Sequence, residues 1–272
     1  MQILKSPYLL IPAVTVGLLT ACGSPDPNEP VDPEAPETAR LQPFETALDF
    51  PIEGPGPFDQ HRITNGPTAV LSMLESHFSI LQGGKSSHAP HTHVAEEIIF
   101  PFQGDVEIYR GPWKEIAEST ERIGPGQFIF HASDHLHAMS AIGPEPSGYW
   151  VMQWAGGPTG VDAHILPPST FDYSTPPAID AESGIGSQVL ADSQTPNVKR
   201  LIIQSMALAP GAGLDVDSAS HDTVIMTVTG GLQISGQPVA AHTMLFRPAG
   251  DELSIANAGQ EAAQYISFEY YR

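Results

Sequence analysis

The chain has 272 residues, and its 11 Lys+Arg against 31 Asp+Glu give a formal net charge of -20 at pH 7. Only 15% of residues are charged, so bases are scarce rather than acids abundant, and a surface of that sign argues against nucleic acid or anionic headgroups as partners. A single Cys excludes a disulfide within the chain, while 25 Gly and 27 Pro cut it into short elements, as expected of an all-β protein.

Lys5 precedes an apolar run from Tyr8 to Leu18 that is too short to span a bilayer comfortably, and Leu19-Thr20-Ala21-Cys22 follows as a small-residue cleavage site. Residues 1–21 therefore read as a targeting segment. The stretch resembles bacterial lipoprotein signal peptides, in which the cysteine becomes the lipid-bearing first residue of the mature chain. That resemblance implies lipidation at Cys22, a location in the bacterial cell envelope, and membrane contact through the lipid anchor alone. Gly23 at the next position resembles lipoproteins sent to the outer membrane where the envelope is Gram-negative. The plainer alternative is a secretory signal with an incidental cysteine. Residues 22–40 are dominated by proline and acid with little to bury, which describes a disordered, solvated tether.

A first domain is expected over residues 41–158. Its opening stretch, Ala69 to Leu81, mixes alternation with apolar runs and reads as strand, with a helix over Met73 to Phe78 as the competing reading. The decisive segment is His88-Ala-Pro-His91-Thr-His93-Val-Ala-Glu96-Glu97-Ile-Ile-Phe-Pro-Phe-Gln-Gly104. On a regular strand His91, His93 and Glu97 share one face, because side chains alternate with a period of two. Two imidazoles and a carboxylate on one face are natural ligands for a divalent transition metal. Alternation turns Glu96 to the other face, where it reads as a structural or solvated acid.

His-x-His, three residues, Glu, six residues, Gly resembles the first motif of the cupins, small β-barrels that bind a metal inside. The segment Gly124 to Gly143 resembles their second motif, with His137 at the position of the fourth ligand. Ala132, Asp134 and Ala141 depart from the Pro, Gly and Asn usual in the family, and His135, on the same strand face, stands as a rival ligand. His88, His131 and His135 are candidates to orient the ligands or shuttle protons. Phe128, Phe130, Met139, Trp150, Met152 and Trp154 read as barrel lining.

The chain also repeats itself. Gly104 to Ile108 has a counterpart in Gly230 to Ile234, Ala141-Ile-Gly143 in Asn257-Ala-Gly259, and Tyr149 to Trp154 in Tyr265 to Tyr270. The second copy is shorter because it lacks an equivalent of Gly111 to Arg122. It has also lost the ligands: Asp217, Ala219 and Thr223 stand at the positions of His91, His93 and Glu97, and Leu253 stands at the fourth. The expected architecture is all-β, two jelly-roll barrels in tandem, with a metal-binding domain over 41–158, a connection over 159–195 and a degenerate metal-free domain over 196–272. The degenerate barrel is expected to pack against the first or to form a homo-oligomer.

A set of three histidines and one glutamate suits Fe, Mn, Ni, Cu or Zn and leaves one or two coordination positions for a small-molecule substrate or ligand. The cupin resemblance implies an enzyme on a small organic substrate, dioxygenase-like in the manner of quercetinase-type bicupins. A redox-neutral isomerase or hydrolase, and a non-catalytic lipoprotein that holds a metal or small ligand, are the other readings.

Overall fold

The computed structural model describes residues 44–47, 58–157, 165–216 and 220–272. Cys22, the targeting segment 1–21, the tether 22–40, and the counterpart positions Asp217 and Ala219 lie outside the described residues. The first strands are β1 (Phe44–Ala47), β2 (Phe58–Gly66), β3 (Met73–Leu81), β4 (Glu96–Gln103), β5 (Val106–Arg110) and β6 (Ser119–Ile123). They are followed by β7 (Gln127–His131), β8 (His137–Ala141), β9 (Ser147–Ala155), β10 (Ser169–Asp172) and β11 (Ile185–Ser193). The remainder are β12 (Arg200–Leu208), β13 (Gly213–Val216), β14 (Asp222–Thr227), β15 (Leu232–Ile234), β16 (Gln237–Pro238), β17 (Thr243–Arg247), β18 (Leu253–Asn257) and β19 (Ala263–Tyr271). Met73 to Phe78 is therefore strand.

Each barrel is a six-stranded sheet closed by a smaller one. The first joins the order β10-β7-β4-β9-β3-β2 to β6-β5-β8, and the second joins β1-β17-β14-β19-β12-β11 to β13-β18-β15-β16. The two large sheets have the same strand order once the repeat is applied, with one exchange. β1, which precedes every strand of the first barrel, pairs antiparallel with β17 of the second. β10 and β11, both within the expected connection 159–195, add to β7 of the first barrel and β12 of the second respectively. The pairings thus cross the limits 41–158, 159–195 and 196–272 read from the sequence.

The inner strands of the large sheets are buried on both faces because each sheet lines its own barrel with one face and packs against the other sheet with its back. In β9, Tyr149, Val151 and Gln153 point inward while Trp150, Met152 and Trp154 point between the sheets, as period-two alternation requires. The shared inter-sheet core joins Phe100, Phe128, Phe130, Trp150 and Trp154 to Phe246, Phe268 and Tyr270. Of the six residues expected to line the first barrel, only Met139 belongs to its inner cluster; the other five face the neighbouring barrel. A sequence pattern of continuous apolar residues gives a strand buried on both sides but not which side is which.

Strong polar ties pin the junction. Asp222 accepts hydrogen bonds from the Thr68 hydroxyl and from the backbone N–H groups of Val70 (3.1 Å) and Ala249 (2.9 Å). The Gly111 to Arg122 insertion forms an extended arm, β6, paired with β5 along its length, where the second copy has only the two-residue β16. Gly104, between β4 and β5, has φ +68°, and a Cβ there would lie 2.8 Å from the Ser147 hydroxyl, so glycine is required by both backbone and space.

Candidate metal centre

β4 begins at Glu96, so His91 and His93 are not on a regular strand; they lie in the loop before it. In the second copy the corresponding edge is the regular strand β13, laddered along β18. In the first, contact with β8 is reduced to isolated bridges, Ser86 to Ser140 and His91 to His137. His91 N–H donates to His137 O and His137 N–H to His91 O, each at 3.0 Å. Beyond that bridge the loop is tied by other means: Asp134 N–H donates to His93 O (2.8 Å), while the Ser133 hydroxyl (2.7 Å) and the Asn197 amide (3.2 Å) donate to Val94 O. Departing from the ladder lets both histidines turn toward Glu97.

Backbone carbonyls fix two of the imidazole tautomers. His93 Nδ1 lies 2.8 Å from Ala95 O and His137 Nδ1 lies 2.7 Å from His135 O. A carbonyl only accepts, so each Nδ1 carries the proton and each Nε2 of a neutral ring is a lone pair. Those lone pairs face a carboxylate: His137 Nε2 is 3.2 Å from Glu97 Oε1 and His93 Nε2 is 3.5 Å from Glu97 Oε2. Both Nε2 atoms are buried without a hydrogen-bond partner, as is His91 Nδ1. Donor atoms of His91, His93 and His137 all lie within 4.8 Å of one another. Four electron-rich groups converging in a buried site need a cation among them, so the residues present fit a divalent metal.

The proton equilibria agree. Burial pushes the Glu97 carboxyl up, but the His137 and His93 rings beside it outweigh burial and hold the group well below the carboxylate range. Burial pulls His93 down, and Glu97 reverses this to a net rise. His91, half-buried and beside the like-charging His88 and His137, falls to about 4 and is a neutral donor at neutral pH. Gln153 donates to Glu97 Oε2 at 2.6 Å and fixes the carboxylate from behind.

His131 and His135 form a second tier. His135 Nε2 sits 3.1 Å from Gly111 O, which makes it the protonated nitrogen, and His135 Nδ1 then accepts from His131 Nδ1 at 3.1 Å. With both nitrogens engaged, His135 has none left for the ion that His137 faces. Fully buried His131 keeps a lone pair on an unpartnered Nε2 and stacks on His137 at 4.1 Å between ring centres. His131, His135 and His137 also satisfy the spacing for a metal among themselves. His88 is exposed at the rim, its ring 4.0 Å from that of His91.

These groups open on a cavity of about 210 Å³, smaller than a typical drug-sized site. Its lining mixes apolar Phe58, Ile99, Met139 and Val151 with polar Gln60, His77 and Ser87, and no Lys or Arg lines it. Sequence reasoning missed Glu75, His77 and Gln153. The signal for the first two was the alternation Glu75-Ser-His77-Phe-Ser79, which puts polar groups on the inner face of β3. Glu96 faces the other way, as alternation requires, but it is buried among Thr195, Trp154 and Asn197 rather than solvated.

No protein-family model and no curated protein matches the chain. Solved structures do. The cupin 2 conserved barrel domain protein from Leptotrichia buccalis superposes with a TM-score of 0.54 at 17% identity, covering 78% of this chain and 88% of that one. This chain has the bicupin fold. AerE from Microcystis aeruginosa matches the bicupin at 0.59 and 12% identity over 85% of this chain and 97% of its own. A deletion mutant of Bacillus subtilis oxalate decarboxylase OxdC matches at 0.58 and 12% over 84% and 76%. In the bicupin's second barrel, Leu253 is buried in an apolar cluster with Met206, Leu232, Ile255 and Tyr265, and Thr223 is partly buried on β14. Among the described residues, that barrel contributes nothing to either histidine group.

Proposed function

We propose that this bicupin is a metal-dependent enzyme acting on a small, hydroxylated organic molecule in its first barrel, by dioxygenase-like chemistry. The observation that carries the reading is the pair of tautomer-fixed Nε2 lone pairs aimed at Glu97 at 3.2 and 3.5 Å. His91, His93, His137 and Glu97 would hold Fe, Mn, Ni, Cu or Zn. Such an ion, when bound, supplies Lewis acidity and, if redox-active, electrons for oxygen chemistry. The chain's own residues supply the rest. Gln153 orients Glu97, the Ala95 and His135 carbonyls orient two rings, and apolar Phe58, Ile99 and Val151 exclude water beside the ligand.

The fold neighbours include an oxalate decarboxylase, but the lining of this cavity offers no cationic side chain to a dicarboxylate. That favours a substrate that is neutral before it binds. The envelope location rests on Cys22, which would carry the lipid and place the barrels outside the cytoplasm. Metal analysis of protein from its own host, followed by oxygen uptake with enols and catechols on the metal-loaded protein, tests the enzyme reading. Absence of metal, or of turnover with a ligand that binds and is recovered unchanged, would replace it with a binding role.

A further inference from the structure

We propose that the pocket carries its own proton acceptor: His77, held by Glu75, takes the hydroxyl proton of the ligand as it enters. This rests on the reading of the first barrel as a metal-dependent site for a hydroxylated molecule, and it adds the residue that makes binding of such a molecule as an anion feasible without a Lys or Arg.

The placement comes from strand register. Glu75 on β3 pairs with Gln153 on β9, which pairs with Glu97 on β4, so these three form one row across the inner face. His77 lies in the parallel row with Val151 and Ile99, two residues further along β3. Two strands across and two residues along amount to roughly 12 Å between the backbones of His77 and Glu97. Both side chains line the same cavity. His77 and Glu97 therefore stand on the same inner face of the sheet, in adjacent rows, with the cavity a small molecule would fill lying over both.

The ring is oriented. His77 is buried at 8% exposure, with Nδ1 3.7 Å from Glu75 Oε1. Arg62 Nη2 approaches the same oxygen at 3.8 Å. The neighbouring His77 ring, opposed by burial and helped by Arg62, lowers the Glu75 carboxyl, so a carboxylate stands at ion-pair distance to offset an imidazolium. Nδ1 turned toward Glu75 leaves Nε2 for the cavity. The other ionisable residues of the lining are already committed: His91, Glu97 and His137 are metal ligands, His88 is exposed at the rim, and burial pushes the Tyr149 phenol up. In the step itself the ligand O–H bond breaks, its electron pair stays on oxygen, and an N–H bond forms at His77 Nε2. No electrons leave or enter the system.

The probe is catechol, neutral in solution at pH 7, bound under nitrogen to full-length protein loaded with Mn(II) and followed by calorimetry in two buffers of different ionisation enthalpy, which counts protons released. His77→Phe is expected to release about one more proton per probe than wild type and to bind at least tenfold more weakly, and Glu75→Gln is expected to move both readings the same way. An unchanged proton count in His77→Phe, with or without weaker binding, overturns the proposal. Metal content is measured first: a wild type that takes up no Mn(II) overturns the metal reading and this one with it. A wild type that takes up Mn(II) but not the probe overturns only the hydroxylated ligand and its acceptor. Should His77→Phe fail to fold, His77→Gln carries the same proton count.

Discussion

Glu97 and His137 meet through atoms that repel unless something positive lies between them: Oε1 and a lone-pair Nε2 stand 3.2 Å apart, with His137 Nδ1 already spent on the His135 carbonyl. His93 repeats the arrangement against the other carboxylate oxygen. The site is built for a cation before one arrives, because backbone carbonyls set the ring orientations. His93→Ala and His91→Ala are therefore expected to remove bound metal stoichiometrically, as read by elemental analysis after gel filtration.

Gln153 touches no ion in this arrangement; it touches Glu97 at 2.6 Å. Gln153→Leu keeps the bulk and removes the donor. Loss of a partner that orients a ligand typically weakens metal affinity 10–100-fold. Competition against a chromophoric chelator should show a drop of about that size, and unchanged affinity would mean that Glu97 holds its position without help.

Glu96 carries a pH dependence with a definite sign. Burial raises its carboxyl from the ordinary 4.5 to about 8, against the hydrogen bond from Thr195 (2.7 Å) and contacts with Trp154 and Asn197. The folded state then holds a proton that the unfolded state has released, so stability falls as pH rises from about 4.5 to about 8. A shift of that size corresponds to about 5 kcal/mol at full ionisation. Thermal melts of Glu96→Gln, at equal metal loading, should lose most of the decline that wild type shows across that window.

Phe268 belongs to the second barrel but packs edge-on against Trp150 (6.1 Å) and Phe128 (5.7 Å) of the first. Truncating a buried Phe to Ala costs about 3–5 kcal/mol. Because the inter-sheet core is shared, Phe268→Ala should lower a single calorimetric transition rather than split it. Two separate transitions would show that the barrels melt independently.

The envelope proposal has its own check. Cys22→Ser is expected to move the protein from the membrane pellet to the soluble fraction, read by immunoblot after fractionation.

His91, His93 and Glu97 stood out by their spacing and His137 by the resemblance of its segment to the second cupin motif, and the structure brings these four side chains together. The all-β class and the repeat were legible too, because period-two alternation and paired glycine turns are local. What the sequence hid was geometric. The His-x-His pair sits in a loop, and only its tie to β8 through His91 and His137 reveals that. Trp150 and Trp154 were expected to line the barrel and instead face the neighbouring one, because both faces of β9 are largely buried and the pattern does not say which is which. Glu75 and His77 were invisible as a pair because their importance comes from β9 and β4, more than seventy and about twenty residues away.

The exchange of edge strands makes the duplicated halves inseparable. β17 is covered by a segment from the other end of the chain, and β7 by a segment from beyond the first barrel. A gene cut between β9 and β10 would yield two products, each with four residues of edge strand left uncovered, the kind of template on which β-proteins aggregate. The second barrel, though stripped of ligands, also covers the back of the first large sheet, where Phe268 and Tyr270 pack on Phe128, Trp150 and Trp154, and that gives an otherwise silent half a reason to persist.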